Sequence, residues 1–184
     1  MRAEFIEELK KANRSGSDEL IEAMDDGGFF EAPCSGAHHL AEEGGLVEHS
    51  LNVLKCARDL NEALGAEIDD ASIIIAALLH DLGKMGDHGK ANYVENILKD
   101  GKRSATKPYI TNPELTYLPH EVRSVMIAER YIFLKEEEET AILWHNGLYG
   151  TFKYDIQGKE TPLYMIIHWA DMWASRVIEI EEDK

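Results

Sequence analysis

The chain has 184 residues, of which 44% are hydrophobic and 29% are charged, as in an ordinary globular protein long enough to bury a core. No apolar run approaches the roughly 18 residues that a membrane-spanning helix needs, so we expect no membrane partner. The 35 acidic and 19 basic residues give a net charge of −16, which repels polyanions and excludes duplex nucleic acid as an expected partner.

The first part of the chain predicts a helical and loop extension, residues 1–43, that packs on a main domain formed by residues 44–184. Residues 2–24 have the pattern of one or two short helices, interrupted near residues 14–18, and residues 25–39 form a loop rich in Gly, Pro and Ser. The N-terminal segment lacks the apolar stretch of a secretory signal. Cys34 and Cys56 show no disulfide or metal spacing, so we expect free thiols in a reducing cytoplasm.

Two helices come next, and each carries polar residues on an apolar face. The first begins after Gly44-Gly45 and ends at Gly65, and His49 shares its apolar side. The second begins at Asp69-Asp70 and contains the apolar run of residues 73–79, which leads directly into His80 and Asp81. Burying an imidazole and a carboxylate is costly unless both are paired, so this pattern calls for a compensating partner.

The connection between residues 84 and 118 is long for a compact domain, and such segments are usually functional or flexible. The stretches "NYVENIL" and "KPYITN" flank "KDGKRSA", which predicts a small β-hairpin near residues 90–111.

Three more helices are predicted at about residues 119–134, 136–146 and 161–181. His120 and His145 lie at the ends of the first two. In the third, Asp171 shares the apolar stripe that ends at Val177. His168 lies one turn earlier, where it either donates to a carboxylate or packs as an ordinary core histidine.

Together these patterns give six candidate metal ligands on five helices. They are His49, His80, Asp81, His120, His145 and Asp171. Imidazole and carboxylate ligands suit one or two divalent transition-metal ions such as Mn, Fe, Co, Ni or Zn. If such ions bind between the helices, they compensate the buried carboxylates.

The motifs that contain these residues resemble those of the HD-domain metal-dependent phosphohydrolase superfamily. They are "GLVEHSLNV", "LLHDLGK", "LPHEVRSV", "WHNG" and "HWADMWAS", in this order over about residues 44–180. The resemblance is to small bacterial and phage-type members with the binuclear H…HD…H…H…D pattern, and it implies an all-α helical bundle. One position departs from the pattern, because many binuclear relatives have two adjacent histidines where this chain has Trp144-His145.

Carried over to this sequence, the resemblance implies a role for each motif residue. The first metal ion would be held by His49, His80, Asp81 and Asp171, and the second by Asp81, as a bridge, with His120 and His145. Asp81 and Lys84 would be the catalytic residues, with Lys84 facing the phosphate. An acidic neighbour, Glu48 or Glu121, would orient a histidine ligand.

The function implied is hydrolysis of a phosphate ester, a phosphomonoester or phosphodiester of a small nucleotide, by a water molecule whose pKa a metal ion lowers. Candidate substrate contacts are Lys84, Lys90, Tyr93, Tyr109 and Arg123. Two alternatives stay open: an HD-type di-iron oxygenase acting on a small organic substrate, and a non-catalytic nucleotide sensor. A homo-oligomer also stays open.

Overall fold

The computed structural model describes residues 1–150 and 153–180, and within them the all-α prediction is confirmed. The helices are α1 (Arg2–Lys11), α2 (Ser17–Asp26), α3 (Gly45–Leu64), α4 (Asp70–Leu79), α5 (His120–Ala128), α6 (Glu136–Trp144) and α7 (Pro162–Trp173). Four short strands are β1 (Gly86–Asp87), β2 (Lys90–Ala91), β3 (Tyr93–Glu95) and β4 (Tyr109–Thr111). None of the described helices is both long enough and apolar enough to cross a membrane.

The apolar helix α4 lies at the centre of the fold. Its residues 73–79 are all at most 1% exposed, and α1, α3, α6 and α7 pack around it. This packing places the end of α4, where His80 and Asp81 are located, in the interior of the bundle. Phe5 and Leu9 of α1 belong to the same core, while the division of the chain into residues 1–43 and 44–184 stays a prediction.

The hairpin prediction is confirmed in a short form. Strands β3 and β4 pair antiparallel, with Tyr93 opposite Thr111, and Ile97 and Arg103 form a further bridge. A smaller antiparallel pair, β1 with β2, precedes it and was not predicted. Cys34 and Cys56 are both free and buried.

The predicted helices near residues 119–134 and 161–181 are shorter in the structure. Helix α5 ends at Ala128, and α7 gives way to a π-helical segment, Ala174–Ile178. There the Glu179 amide donates to the Ala174 carbonyl five residues back. Because the wider turn rotates the next residues about the helix axis, Val177 is 52% exposed, and its predicted burial was wrong.

Gly83 brings the turn after Asp81 against α5. It lies in a 3₁₀ turn, Leu82–Met85, and its amide donates to Ser124 Oγ at 2.8 Å. A Cβ at this position would overlap the His120 carbonyl oxygen and lie 2.9 Å from Arg123 Cβ. The absent side chain therefore sets the distance between Asp81 and His120.

We expect Gly83→Ala to lower the free energy of unfolding by about 1–3 kcal/mol, the usual cost of overpacking. Chemical denaturation of the metal-free protein measures this change. An unchanged denaturation midpoint would contradict the close approach of the two segments.

Candidate metal centre

The structure brings the six predicted ligands together in the interior. His49 comes from α3, His80 and Asp81 from the end of α4, His120 from the start of α5, His145 from the end of α6 and Asp171 from α7. Four of them are at most 1% exposed, namely His49, His80, Asp81 and His145.

One group of donor atoms, which we name the first subsite, consists of His49, His80, Asp171 and the Oδ2 atom of Asp81. His49 Nε2 lies 3.2 Å from His80 Nε2 and 3.2 Å from Asp171 Oδ1. Asp81 Oδ2 lies 3.6 Å from His49 Nε2 and 3.4 Å from His80 Nε2. Atoms that ligate one ion at about 2.1 Å lie roughly 3.0–3.4 Å from each other, so these separations fit a shared cation.

The second subsite consists of His120, His145 and the other Asp81 oxygen, Oδ1. The two Nε2 atoms lie 3.4 Å apart, and Oδ1 lies 3.1 Å from that of His120 and 3.5 Å from that of His145. Asp81 thus directs one oxygen to each subsite, the arrangement of a bridging carboxylate.

Each of the four imidazoles has a partner for Nδ1 that leaves Nε2 facing inward. His80 donates to the Ala77 carbonyl at 2.8 Å, and His145 donates to the Ile142 carbonyl at 2.7 Å. The two others face carboxylates: His49 lies 3.0 Å from Glu179 and His120 lies 3.2 Å from Glu121. Such contacts fix the tautomer in which Nε2 carries the lone pair that a metal needs.

The chemistry of these donor atoms is that of a site for a cation. Imidazole nitrogens and carboxylate oxygens converge in the interior. Burial lowers the pKa of His80, whereas neighbouring acidic groups outweigh burial and raise the pKa of His49 and of His145. Among the described residues, Asp81 Oδ1 is one of few buried side-chain polar atoms without a hydrogen-bond partner. A buried, unpaired carboxylate oxygen is costly, and a metal ion at the second subsite would remove that cost.

Lys84 lies beside the cluster, one turn beyond Asp81. Its Nζ is 2.6 Å from Asp81 Oδ2, and its side chain is 14% exposed. Burial alone would raise the pKa of Asp81, but the Lys84 ammonium and the neighbouring imidazoles hold it well below its ordinary value. Burial likewise opposes the charge of Lys84, yet Asp81 raises the pKa of Lys84 well above its ordinary value. Each group therefore favours the charged form of the other.

A cavity of about 480 Å³ opens onto both subsites. Asp81, His145 and Asp171 form part of its wall, and Lys84 and Arg176 supply positive charge. The polar residues His38, His39, Asn146, His168 and Ser175 also line it. His168 forms no ion pair with a carboxylate of the described residues, and its Nδ1 donates to the His145 carbonyl at 2.7 Å.

The other predicted substrate contacts are more dispersed. Arg123 and Tyr93 line a smaller cavity of about 240 Å³ beside His120, although the Arg123 guanidinium is already engaged, donating to the Asn92 side chain and the Thr116 carbonyl. Tyr109 packs its ring under the guanidinium of Arg103 at 4.3 Å. Lys90 donates to the Glu114 carbonyl at 2.7 Å.

Lys90 also lines a separate cavity with Asp87 and Arg130. The structure therefore does not bring Lys90 and Tyr109 to the two subsites, although both belong to the predicted hairpin region.

Sequence reasoning missed Glu179 and Asn146. The carboxylate beside His49 is that of Glu179, which also accepts from Asn52 Nδ2 at 3.0 Å. Glu121 contacts His120 as predicted. Asn146 comes directly after the candidate ligand His145 in the "WHNG" motif, and this adjacency could have identified it from the sequence.

We expect Glu179→Gln to weaken metal affinity by about 10–100-fold, as is usual when the partner of a ligating imidazole is lost. The glutamine keeps the size of the side chain but removes the charge that orients His49. Titration of metal-depleted protein with Mn²⁺ measures the effect, and Glu48→Gln, on the same helix as His49, is the matched control. Equal affinities for the two variants would contradict the role of Glu179.

The helical domain gathers imidazoles and carboxylates from five helices into two adjoining subsites, where they are positioned to hold metal ions. The family model described as "HD domain" matches residues 46–173, a range that contains all six candidate ligands. The chain therefore belongs to the HD-domain family.

A curated relative is the dihydroneopterin 2′,3′-cyclic phosphate phosphodiesterase of Methanocaldococcus jannaschii. It is 47% identical to this chain over 58 residues, which cover 29% of this chain and 23% of the relative. The match thus spans about a quarter of the relative's length. No solved structure matches the chain.

Proposed function

We propose that the protein is a metal-dependent phosphohydrolase that cleaves a small phosphate ester. The observation that carries the proposal is the position of Asp81, which directs Oδ1 and Oδ2 to different subsites while Lys84 holds a positive charge beside it. Metal ions held at the two subsites, together with the Lys84 ammonium, would match the charge that develops on the equatorial oxygens in phosphoryl transfer.

Divalent ions held by the six residues would lower the pKa of a water molecule and neutralise the charge of the phosphate. The protein residues position the ions and the phosphate. Asp81 fixes the spacing of the two subsites, and the Nδ1 contacts hold the imidazoles in place. Lys84 binds and orients the phosphate from the floor of the cavity, where burial strengthens its electrostatic effect.

The substrate we propose is small, with a phosphate attached to a nucleotide-like heterocyclic compound. A cavity of about 480 Å³ is in the range of small-ligand sites, and the net charge of −16 disfavours a long polyanion. The relative's name refers to a 2′,3′-cyclic phosphate, so a cyclic phosphodiester is the first substrate to test here.

The test is a substrate panel on metal-depleted protein reconstituted with Mn²⁺, Fe²⁺, Co²⁺, Ni²⁺ or Zn²⁺. The panel contains nucleoside 2′,3′-cyclic phosphates, 3′,5′-cyclic phosphates and 5′-monophosphates, and chromatography identifies the products. We expect metal-dependent opening of a cyclic ester or release of inorganic phosphate under anaerobic conditions. Turnover that needs oxygen would instead support the oxygenase alternative, and no turnover of any ester by the loaded protein would contradict the proposal.

A further inference from the structure

The side-chain amide of Asn146 faces the second subsite. Its Nδ2 atom lies 3.0 Å from His145 Nε2 and 3.2 Å from His120 Nε2. These separations are close to those between the ligand atoms themselves, since the two Nε2 atoms are 3.4 Å apart. The end of the amide therefore lies as close to the two imidazole nitrogens as those nitrogens lie to each other.

The backbone on either side holds Asn146 in this position. The His145 carbonyl accepts a hydrogen bond from His168 Nδ1 at 2.7 Å, which ties this segment to α7. Gly147 comes next with a φ of +52°, and a Cβ there would overlap the His168 ring. The chain thus turns sharply against α7 directly after Asn146, and this turn points the side chain back towards the histidines.

The second subsite has room for another protein ligand. The first subsite draws on two imidazoles and two carboxylates, whereas the second has two imidazoles and one shared carboxylate oxygen. Trp144 adds nothing, because an indole N–H only donates hydrogen bonds. Its Nε1 atom is buried without a partner among the described residues.

We propose that Asn146 is a fourth protein ligand of the second subsite, through its Oδ1 atom. The proposal rests on the metal binding proposed above. The two ends of a side-chain amide have nearly the same shape, so a half-turn replaces Nδ2 by Oδ1 at the same place. In this structure the Nδ2 atom donates to the lone pairs of the two imidazoles. If a cation took those lone pairs, the flipped amide would direct Oδ1 at the cation. Because an amide oxygen is a neutral ligand, the second ion binds more weakly than the first.

Metal titration tests this assignment without any substrate. Metal-depleted wild-type protein, Asn146→Ala and Asn146→Asp are titrated with Mn²⁺, and electron paramagnetic resonance distinguishes isolated ions from exchange-coupled pairs. Asn96→Ala is the matched control, since it removes an amide whose partner is the Lys107 carbonyl on the hairpin. Thermal melts of the metal-free proteins check that each variant is folded.

We expect the wild type and Asn96→Ala to take up two ions and show the coupled signal. In Asn146→Ala the second dissociation constant should rise at least about tenfold while the first stays unchanged, and Asn146→Asp should restore the second ion. If Asn146→Ala binds both ions with wild-type affinity, or if Asn146→Asp loses the second ion as well, Asn146 is not a ligand. A wild type that binds one ion overturns this inference alone, whereas a wild type that binds none also overturns the proposed function.

Discussion

Replacing Asp81 by alanine is expected to abolish turnover, with kcat/KM falling by about 10³-fold or more, and to remove bound metal. Asp81 contributes an oxygen to each subsite. Its loss therefore removes one of the two carboxylates of the first subsite and the single carboxylate of the second. Its loss also leaves Lys84 buried without its nearest counter-charge. Metal analysis after dialysis and initial rates on the best ester of the panel measure the two effects.

Two further variants keep this test interpretable. Asp81→Asn preserves the size of the side chain and separates loss of charge from loss of packing. Asp59→Asn makes the same change at an exposed position of α3 and should behave like the wild type. An Asp81→Ala protein that retains its metal and its full rate would contradict the assignment of Asp81.

Replacing Lys84 by methionine is expected to lower kcat by about 10²–10³-fold, the usual cost of losing one preorganised group that stabilises the transition state. Methionine keeps the apolar stem and removes the charge 2.6 Å from Asp81 Oδ2. Metal content should not fall, because Lys84 ligates no ion and its removal leaves the carboxylate free to bind one. Steady-state kinetics at saturating metal measures the effect.

The exposed residue Lys55 provides the comparison, since Lys55→Met removes the same charge from the surface of α3. A rate for Lys84→Met equal to that of Lys55→Met would show that Lys84 takes no part in the reaction. A parallel loss of metal would instead make it a residue that positions Asp81.

The positions of the six candidate ligands could be predicted because each is a polar residue that lies either on the apolar face of a helix or at a helix end. His80 and Asp81 are the strongest case, since they end a run of residues that are at most 1% exposed. Burial of such groups is costly without a partner, and that cost is visible in the sequence alone. His49 and Asp171 are recognisable by their spacing from the apolar residues of α3 and α7.

Glu179 and Asn146 could not be found in this way. Glu179 reaches His49 because the π-helical segment after Trp173 rotates the following residues about the helix axis. The sequence contains no Gly or Pro there that would indicate this change. Asn146 faces the second subsite because the chain turns at Gly147, outside any periodic pattern. Lys90 lines a different cavity because strand β2 pairs with β1, and its predicted contact with the substrate stays a prediction.

The measurement that tests the central claim most directly is anomalous diffraction from crystals of Mn²⁺-loaded protein. We expect two peaks that share Asp81, one beside each of its carboxylate oxygens. The first peak should also contact His49, His80 and Asp171, and the second should also contact His120 and His145. A structure of the loaded protein with no peak at Asp81, or with its ions bound only elsewhere, would contradict that claim.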